Sequence, residues 1–290
     1  MQTSFETNIL NLPGGAGRVW LAQLPRIVER LSEKWALTQV RPVSNMTWHY
    51  IALADSDEFG PVCLKIGIDS DVIRNETRAL TYFEGQGIVR LIQGDQHEGA
   101  LLLEQVIPGQ PLSLIASQNV PRAIQLYSQV ADSLYYKAKT SSIQGFESIQ
   151  KWFLVFDRLD VDALPNKLIL KARVLAEKLL ANSNSQVVLH GDLHLDNVLS
   201  HQTVGVAIDP KGIVGPKEFE LAAFALPVSS QFMTKKSFSL SLSRLATLAK
   251  VDEQIVLDWV FVRLVLGACW EVEDKGDPTR FVKQIPLIQG

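Results

Sequence analysis

The residues best suited to chemistry are concentrated in one short stretch, residues 190–197, with the sequence HGDLHLDN. The apolar run 187–189 leads into it and Val198-Leu199 leads out, which predicts a buried strand, a polar turn and a second strand. The carboxylate of Asp192 could accept a proton, and the amide oxygen of Asn197 could bind a hard divalent cation. The pattern therefore predicts a turn that holds a proton acceptor and a ligand for a divalent cation.

The spacing within this turn matches the H-x-D-x-x-x-x-N pattern of a kinase catalytic loop. In such a loop the Asp, here Asp192, accepts the proton of the substrate hydroxyl, and the Asn, here Asn197, holds magnesium. After a turn at residues 200–203, the run 204–208 predicts a returning strand that ends on Asp209. We expect this hairpin to bring Asp209, a second magnesium ligand, close to the other two residues.

Two other interpretations of the stretch stay open. Asp and Asn are common in turns because their side chains bond to nearby backbone groups, so each could be only structural. His190, Asp192, His194 and Asp196 also offer imidazole and carboxylate at short intervals, as the loops of metallohydrolases do. A zinc site would still need a further imidazole or thiol, and Lys211 offers a cation where a ligand would be wanted.

A lysine and a glutamate form a second predicted site. The strand 61–66 alternates so that Lys65 lies on the face opposite to its apolar residues. The predicted helix 70–83 places Glu76 on the same face as Ile73 and Leu80, where an unpaired carboxylate would cost on the order of several kcal/mol. We therefore predict that Lys65 pairs with Glu76, the arrangement that positions the α- and β-phosphates of ATP in kinases.

Two hairpins complete a predicted five-stranded sheet with that helix inserted. The first hairpin, strands 38–43 and 49–54, carries Ser44, Asn45 and Thr47 at its tip, where they could donate hydrogen bonds to phosphate oxygens. The second hairpin consists of strands 88–92 and 100–106.

The second hairpin ends at residues 107–111, IPGQP, a rigid break that predicts the boundary between domains 1–106 and 107–290. Backbone groups from Glu104 to Val106 are expected to lie at this hinge and to pair with an adenine. The first domain is thus predicted to bind nucleotide, and the second to carry the catalytic turn and the acceptor site.

Helical periodicity predicts packing helices in the rest of the chain. A flexible glycine-rich leader, residues 12–17, is expected before a helix that begins at about Pro25. The later predicted helices span residues 120–140, 150–161, 168–182, 218–226, 238–249 and 254–274.

The last long helix ends in Trp270, Glu271, Glu273 and Asp274, acids that oppose the helix macrodipole. Such a cluster is most often a solvated helix end. It could also bind a cationic acceptor, because the indole of Trp270 and the carboxylate of Glu273 lie on one face of the helix. We predict this cluster, together with His194, as the acceptor-binding residues.

Composition excludes several classes of protein. Hydrophobic content of 47% and charged content of 20% are ordinary for a globular enzyme. The net charge of −3 and the lack of a cluster of basic residues in the sequence argue against nucleic-acid binding. The two cysteines lie far apart in the chain and predict no disulfide, which fits a reducing cytoplasm. No signal peptide or membrane span is predicted, so we expect a cytoplasmic protein, with its oligomeric state left open.

Taken together, these motifs resemble the aminoglycoside phosphotransferase family, small-molecule kinases that share the protein-kinase fold. The stretches HGDLH at residues 190–194 and IDPKG at residues 208–212 are similar to the branch of streptomycin 6-phosphotransferases and hydroxyurea antibiotic-resistance kinases. The resemblance implies a two-lobed α+β fold, with a five-stranded antiparallel sheet and one helix in the small lobe and a mostly helical large lobe.

The resemblance also implies a role for each motif residue: Asp192 as catalytic base, Asn197 and Asp209 as Mg²⁺ ligands, and Lys65 with Glu76 on the phosphates of ATP. The implied partner is a small molecule with a hydroxyl group. His190 and Glu220 would support the loop, although relatives carry Asp where this chain has Glu220. A nucleotide-binding pseudokinase without turnover is the main alternative, and a metal-dependent hydrolase is the second.

Overall fold

A computed structural model describes residues 3–138, 142–159, 164–183, 186–226 and 234–288. The chain forms two compact units, Met1–Gly85 with Val89–Val106 and Gln86–Ile88 with Ile107–Gly290. These units differ from the predicted domains at residues 86–88. That segment belongs to the second unit because the Ala207 N–H donates to the Gly87 carbonyl at 2.9 Å and Ile88 forms a β-bridge with Ala207.

The first unit is built on an antiparallel sheet with the strand order β1-β2-β3-β5-β4. Its strands are β1 (Leu37–Pro42), β2 (Tyr50–Ser56), β3 (Gly60–Ile66), β4 (Leu91–Asp95) and β5 (Ala100–Glu104). Its helices are α1 (Ser4–Leu10), α2 (Ala16–Lys34) and α3 (Ser70–Phe83). The predicted five-stranded sheet with one inserted helix is confirmed, although β4 begins at Leu91 rather than at residue 88.

The N-terminal region corrects one expectation. Helix α2 begins at Ala16 and contains Pro25, so the glycines before it are not a flexible leader. A β-carbon on Gly17 would lie 1.8 Å from the Ile9 carbonyl oxygen, which shows how closely α1 and α2 approach each other. Glycine is required at this contact, and the apolar faces of both helices pack on the sheet.

The second unit is mostly helical. Its helices are α4 (Leu112–Gln118), α5 (Val120–Ala138), α6 (Gln150–Phe153), α7 (Val155–Arg158), α8 (Asn166–Ala181), α9 (Lys217–Leu221), α10 (Lys235–Ala249), α11 (Glu253–Glu273), α12 (Thr279–Val282) and α13 (Ile285–Ile288). Helix α11 forms the centre of this unit, because its side chains are buried on nearly every face from Val260 to Cys269. No helix in the described part of the chain is long and apolar enough to cross a membrane.

Two three-stranded sheets accompany these helices, with the orders β10-β9-β6 and β7-β11-β8. Their strands are β6 (Pro108–Pro111), β7 (Glu147–Ser148), β8 (Val187–Leu189), β9 (Val198–His201), β10 (Val204–Ala207) and β11 (Ile213–Gly215). The hairpin of β9 and β10 confirms the one predicted after the polar turn, with Val198 opposite Ala207.

Two predicted helices of the second unit are corrected, and one segment contains a strand that was not predicted. The segment 107–111, expected as a rigid break, lies where the second unit resumes after Val106 and contains β6, which pairs with β9. The single helix predicted over residues 150–161 is two short helices, α6 and α7, and residues 160–161 lie outside the described part. The helix predicted over residues 218–226 is α9 followed by a 3₁₀ turn at Ala222–Ala225.

Candidate active site

Lys65 and Glu76 form a buried ion pair in the first unit. Strand β3 places Lys65 between its register partners Ile51 and Leu101, and Lys65 Nζ lies 2.6 Å from Glu76 Oε2. Lys65 is 4% exposed and Glu76 is 2% exposed, so water cannot solvate either charge and the two side chains compensate each other. The contact predicted from the spacing is present, and its role in phosphate binding stays a prediction.

The other predicted nucleotide-binding residues also lie in the first unit. Ser44, Asn45 and Thr47 are exposed in the connection between β1 and β2, which would let them reach a ligand. In the segment 104–106, the Glu104 N–H donates to Arg90 O at 3.0 Å and the Gln105 N–H to Pro61 O at 3.2 Å. Those two donors are already used, so an adenine would have to bond to other atoms of the segment, such as those of Val106.

In the second unit, the predicted catalytic turn connects β8 to β9. The carbonyl of Asp192 accepts hydrogen bonds from the His194 N–H and from Asn197 Nδ2, both at 2.9 Å. The Asn197 N–H in turn donates to the His194 carbonyl at 3.0 Å. These short local bonds explain why the spacing of Asp192 and Asn197 matters: the amide of one residue holds the backbone of the other.

His190 is fully buried and connects the turn to the end of β10. Its Nδ1 accepts a hydrogen bond from the Asp192 N–H at 3.2 Å, so we assign the ring proton to Nε2, which lies 2.8 Å from the Ile208 carbonyl. Burial lowers the pKa of His190 to about 4, so the ring is neutral near pH 7. This arrangement agrees with the predicted supporting role.

The carboxylate of Asp192 is about one-third exposed and can be reached from solvent. Its Oδ2 lies 3.7 Å from His194 Nε2 and 3.3 Å from Asn197 Nδ2. Burial raises the pKa of Asp192, but His194, Lys211 and Arg263 lower it by a larger amount, so the net shift is downward. Asp192 is therefore ionised at neutral pH and able to accept a proton.

Asn197 and Asp209 are brought together by the β9–β10 hairpin. The Ile208 N–H, next to Asp209, donates to the Asn197 carbonyl at 2.9 Å. Asp209 adopts a left-handed backbone with φ of 60°, and Lys211 Nζ lies 2.9 Å from its Oδ2. Amide and carboxylate oxygens are hard donors that suit Mg²⁺, which binds to one or two protein ligands and completes its shell with phosphate and water.

Glu220 is fully buried behind the turn. Its two carboxylate oxygens accept the Gly191 N–H at 3.2 and 3.0 Å. Burial raises the pKa of Glu220 to about 7, against the charge of Arg263 and the N–H groups of Gly191, Leu193 and His190. The longer glutamate thus reaches the loop backbone directly, and its supporting role stays a prediction.

The zinc interpretation finds no support among the described residues, which contain no group of three or more His, Cys, Asp or Glu arranged to hold a metal. Both nitrogens of His190 are hydrogen-bonded, and His194 Nδ1 accepts the Asp196 N–H at 3.2 Å. The carboxylate of Asp196 accepts a hydrogen bond from Ser113 Oγ.

Two acids of the predicted acceptor cluster at the end of α11 are paired with arginines. Arg158 makes two hydrogen bonds to the carboxylate of Glu273, at 2.6 and 3.0 Å, and Arg280 pairs with Glu271. Asp274 caps the helix and is exposed. The arginines compensate the acids at this helix end, so a cationic acceptor would have to compete with them.

Sequence reasoning missed two residues beside the catalytic turn. Trp152 contacts the turn closely, since a β-carbon on Gly191 would lie 3.2 Å from its Cη2, and its ring packs edge-on against Trp270 at 5.2 Å. Arg263 donates to the Gly191 carbonyl at 3.0 Å. Its one detectable signal is a charge within the apolar run of α11, whereas no local pattern marks Trp152.

The model of one protein family, described as aminoglycoside/hydroxyurea antibiotic resistance kinase, matches residues 34–275 of the chain. A hydroxyurea phosphotransferase of Kitasatospora aureofaciens is 28% identical over 273 residues, which cover 91% of this chain and 78% of the relative. A streptomycin 6-kinase of Streptomyces griseus is 23% identical, with 90% of this chain and 87% of the relative covered.

Solved structures resemble the chain at lower identity. A choline kinase from Streptococcus pneumoniae superimposes with a TM-score of 0.68 at 14% identity, covering 92% of this chain and 99% of the other. A thermostable mutant of an aminoglycoside phosphotransferase, solved with ADP and hygromycin B, gives a TM-score of 0.66 at 12% identity, covering 90% and 98%. These likenesses confirm the predicted protein-kinase-like fold.

Proposed function

The chain belongs to the aminoglycoside/hydroxyurea antibiotic resistance kinase family, and from this premise we propose that it phosphorylates a hydroxyl group of an aminoglycoside-like acceptor at the expense of ATP. Membership makes it a small-molecule phosphotransferase. In the proposed reaction a bond forms between the acceptor oxygen and the γ-phosphorus, and the bond to the β-γ bridging oxygen breaks. ADP leaves, and the hydroxyl proton passes to Asp192.

The observation that carries the proposal is the hydrogen bonding between Asp192 and Asn197 within the predicted catalytic turn. Asn197 Nδ2 bonds to the Asp192 carbonyl and lies 3.3 Å from Asp192 Oδ2, so the base and the predicted metal ligand form one rigid unit. Phosphoryl transfer depends mainly on positioning and on charge neutralisation, and a rigid turn provides the first of these. The low pKa of Asp192 keeps the base ionised.

Asn197 and Asp209 would hold Mg²⁺, because their oxygens and their shared hairpin fit a hard cation. When bound, the metal would neutralise charge on the β- and γ-phosphates. Lys211 Nζ is bonded to Asp209 Oδ2, so we expect this lysine to leave the carboxylate, or to bind a phosphate oxygen, when the nucleotide binds. Alanine at Asp209 should then abolish the magnesium dependence of nucleotide binding, measured by calorimetry.

In the first unit, Lys65 would bind the α- and β-phosphates while Glu76 holds the ammonium in place. Ser44, Asn45 and Thr47 would donate to phosphate oxygens, and the segment from Glu104 to Val106 would bind the adenine. The solved relative with ADP supports a nucleotide as the phosphoryl donor.

For the acceptor we propose the surface formed by Trp152 and Trp270. Both rings are partly exposed, and Trp152 lies against the turn that carries Asp192. His194, whose Nε2 lies 3.7 Å from Asp192 Oδ2, would approach the reacting hydroxyl. Because Glu271 and Glu273 are paired with arginines, a cationic acceptor would have to displace Arg280 or Arg158 to reach these carboxylates, whereas a neutral acceptor such as hydroxyurea would not.

The decisive experiment measures ADP release with Mg²⁺-ATP and a panel of streptomycin, other aminoglycosides, amino sugars and hydroxyurea. Changing Asp192 to Asn should lower kcat by about 10²- to 10⁴-fold with little change in ATP affinity, because a general base acts in the transition state. Changing Asp196 to Asn is the matched control in the same turn and should retain most of the turnover.

Comparable turnover in the Asp192 variant would refute the assignment of the base. Magnesium-dependent nucleotide binding without turnover on any acceptor would favour the pseudokinase alternative instead.

A further inference from the structure

Arg263 is a buried cation in the middle of the most apolar helix of the second unit. It is 5% exposed, and the residues on either side of it in α11 are buried and apolar. Its guanidinium donates to the carbonyls of Gly191 at 3.0 Å and Phe219 at 3.3 Å and lies over the Phe219 ring, 4.2 Å from its centroid. Burying a guanidinium is costly unless its geometry is well satisfied, so its place next to the catalytic turn calls for an explanation.

Gly191 is held from the opposite side as well. Its N–H is bound by the carboxylate of Glu220, whereas its carbonyl is bound by Arg263. Its φ of 90° favours glycine, and a β-carbon there would lie 3.1 Å from Lys211 Cβ. The two peptide groups that flank Gly191 are therefore fixed by charged side chains from α9 and α11, directly before Asp192.

We propose that Arg263 is a positioning residue for the phosphoryl transfer: together with Glu220 it clamps the peptide groups on both sides of Gly191 and so sets the position of the Asp192 carboxylate. This inference rests on the proposed function, in which Asp192 is the general base. Small displacements of a catalytic group are costly, because a misplacement of about 1 Å can lower the rate by roughly 100-fold.

The charge of Arg263 also acts on Glu220, the other side chain that holds Gly191. The groups that face Glu220 are Arg263 from α11, Tyr127 and Tyr135 from α5, and the loop N–H groups. Of these, Arg263 and the N–H groups favour the ionised carboxylate of Glu220.

Two substitutions separate the geometry of Arg263 from its charge. Changing Arg263 to Lys keeps the charge but removes the planar fork that reaches two carbonyls. We expect kcat to fall by about 10- to 100-fold and KM for ATP to stay within about twofold. Changing Arg263 to Met removes the charge as well as the hydrogen bonds, so the fall in kcat should be at least as large, again with KM for ATP within about twofold.

Amide hydrogen exchange provides a readout that does not depend on turnover. In the Lys variant the amides of residues 190–193 should exchange faster while the rest of α11 keeps its protection. The matched control is Arg122→Lys, since Arg122 also donates to a backbone carbonyl, that of Thr203, but is only half-buried and makes this hydrogen bond in an exposed position. This control should leave both kcat and exchange in the turn unchanged.

If Arg263→Met does not fold, the Lys variant and the double variant Arg263→Met with Glu220→Gln, which leaves no unpaired buried charge, carry the test. A folded Lys variant with wild-type kcat and wild-type exchange at residues 190–193 would overturn the proposal. If Asp192→Asn retains turnover, the proposed function fails instead, while faster exchange in the Lys variant would still show that Arg263 holds the turn.

Discussion

Each unit contains a buried acid and a buried base that belong together, and the two pairs are built differently. In the first unit Lys65 and Glu76 contact each other directly, with 2.6 Å between nitrogen and oxygen. In the second unit Glu220 and Arg263 are each hydrogen-bonded to the backbone of Gly191. The direct pair therefore depends on its own contact, whereas the other pair acts on the loop that lies between its members.

This difference teaches how to separate stability from rate. Removing one partner of a direct pair leaves the other charge buried, which is mainly a cost in folding free energy. Removing one partner of the backbone-mediated pair should also release the segment that carries Asp192, the proposed base, so we expect the rate to fall even where the unit stays folded. The predictions that follow test this contrast.

The largest expected effect on stability is that of Lys65→Ala. Loss of the lysine leaves the 2%-exposed Glu76 without its counter-charge, and breaking such a pair costs about 3–5 kcal/mol. Calorimetry should show a clear fall in Tm, and ATP affinity should fall as well. An unchanged Tm would mean that the pair is not buried in solution.

The double change Lys65→Met with Glu76→Leu sharpens the same point. Apolar side chains of similar length remove both desolvation penalties, so Tm should recover while ATP binding does not. Recovery of nucleotide affinity together with Tm would show that the ammonium of Lys65 does not bind phosphate.

The pH dependence of stability should reveal Glu220 and His190 with opposite signs. The pKa of Glu220 is raised from 4.5 to about 7, so its favourable contribution is complete below pH 4.5 and is lost as pH rises to 7. The pKa of His190 is lowered from 6.5 to about 4, so stability is lost as pH falls through that window. The two trends oppose each other between pH 4.5 and 6.5.

Substituting Gln for Glu220 should therefore make the unfolding free energy rise more steeply with pH in this interval, by up to about 1.4 kcal/mol per pH unit. Substituting Gln for His190 should reverse the trend. Urea titrations at several pH values measure both slopes, and parallel curves for wild type and Glu220→Gln would contradict the raised pKa.

The smallest effect is expected for an exposed pair. Arg30 makes two hydrogen bonds of 2.9 Å to Glu98, but the arginine is more than half exposed. Solvent screening makes such pairs weak, so Arg30→Ala should shift Tm far less than Lys65→Ala and its effect should shrink with added salt. Equal shifts for both variants would remove the distinction between buried and exposed pairs.

Much of the candidate site could be predicted from the sequence because its contacts are local. Asp192 and Asn197 are joined within one turn, and a short hairpin brings Asp209 to them. The pairing of Lys65 with Glu76 followed from strand and helix periodicity, since a carboxylate on an apolar face requires a partner. In the first unit, the errors of prediction concerned the ends of elements. One example is the start of α2, where Gly17 closely approaches Ile9.

Other features were decided only by tertiary structure, because they join residues that are distant in the chain. Arg263 reaches Gly191 across 72 positions, and Arg158 reaches Glu273 across 115, so no periodic pattern relates either pair. The contact between Trp152 and Gly191 also joins residues that are distant in the chain and that no periodic pattern relates. The sequence alone determined which residues could carry out the chemistry, whereas the packing of α9 and α11 decided what holds the catalytic turn and what already neutralises the acids at the end of α11.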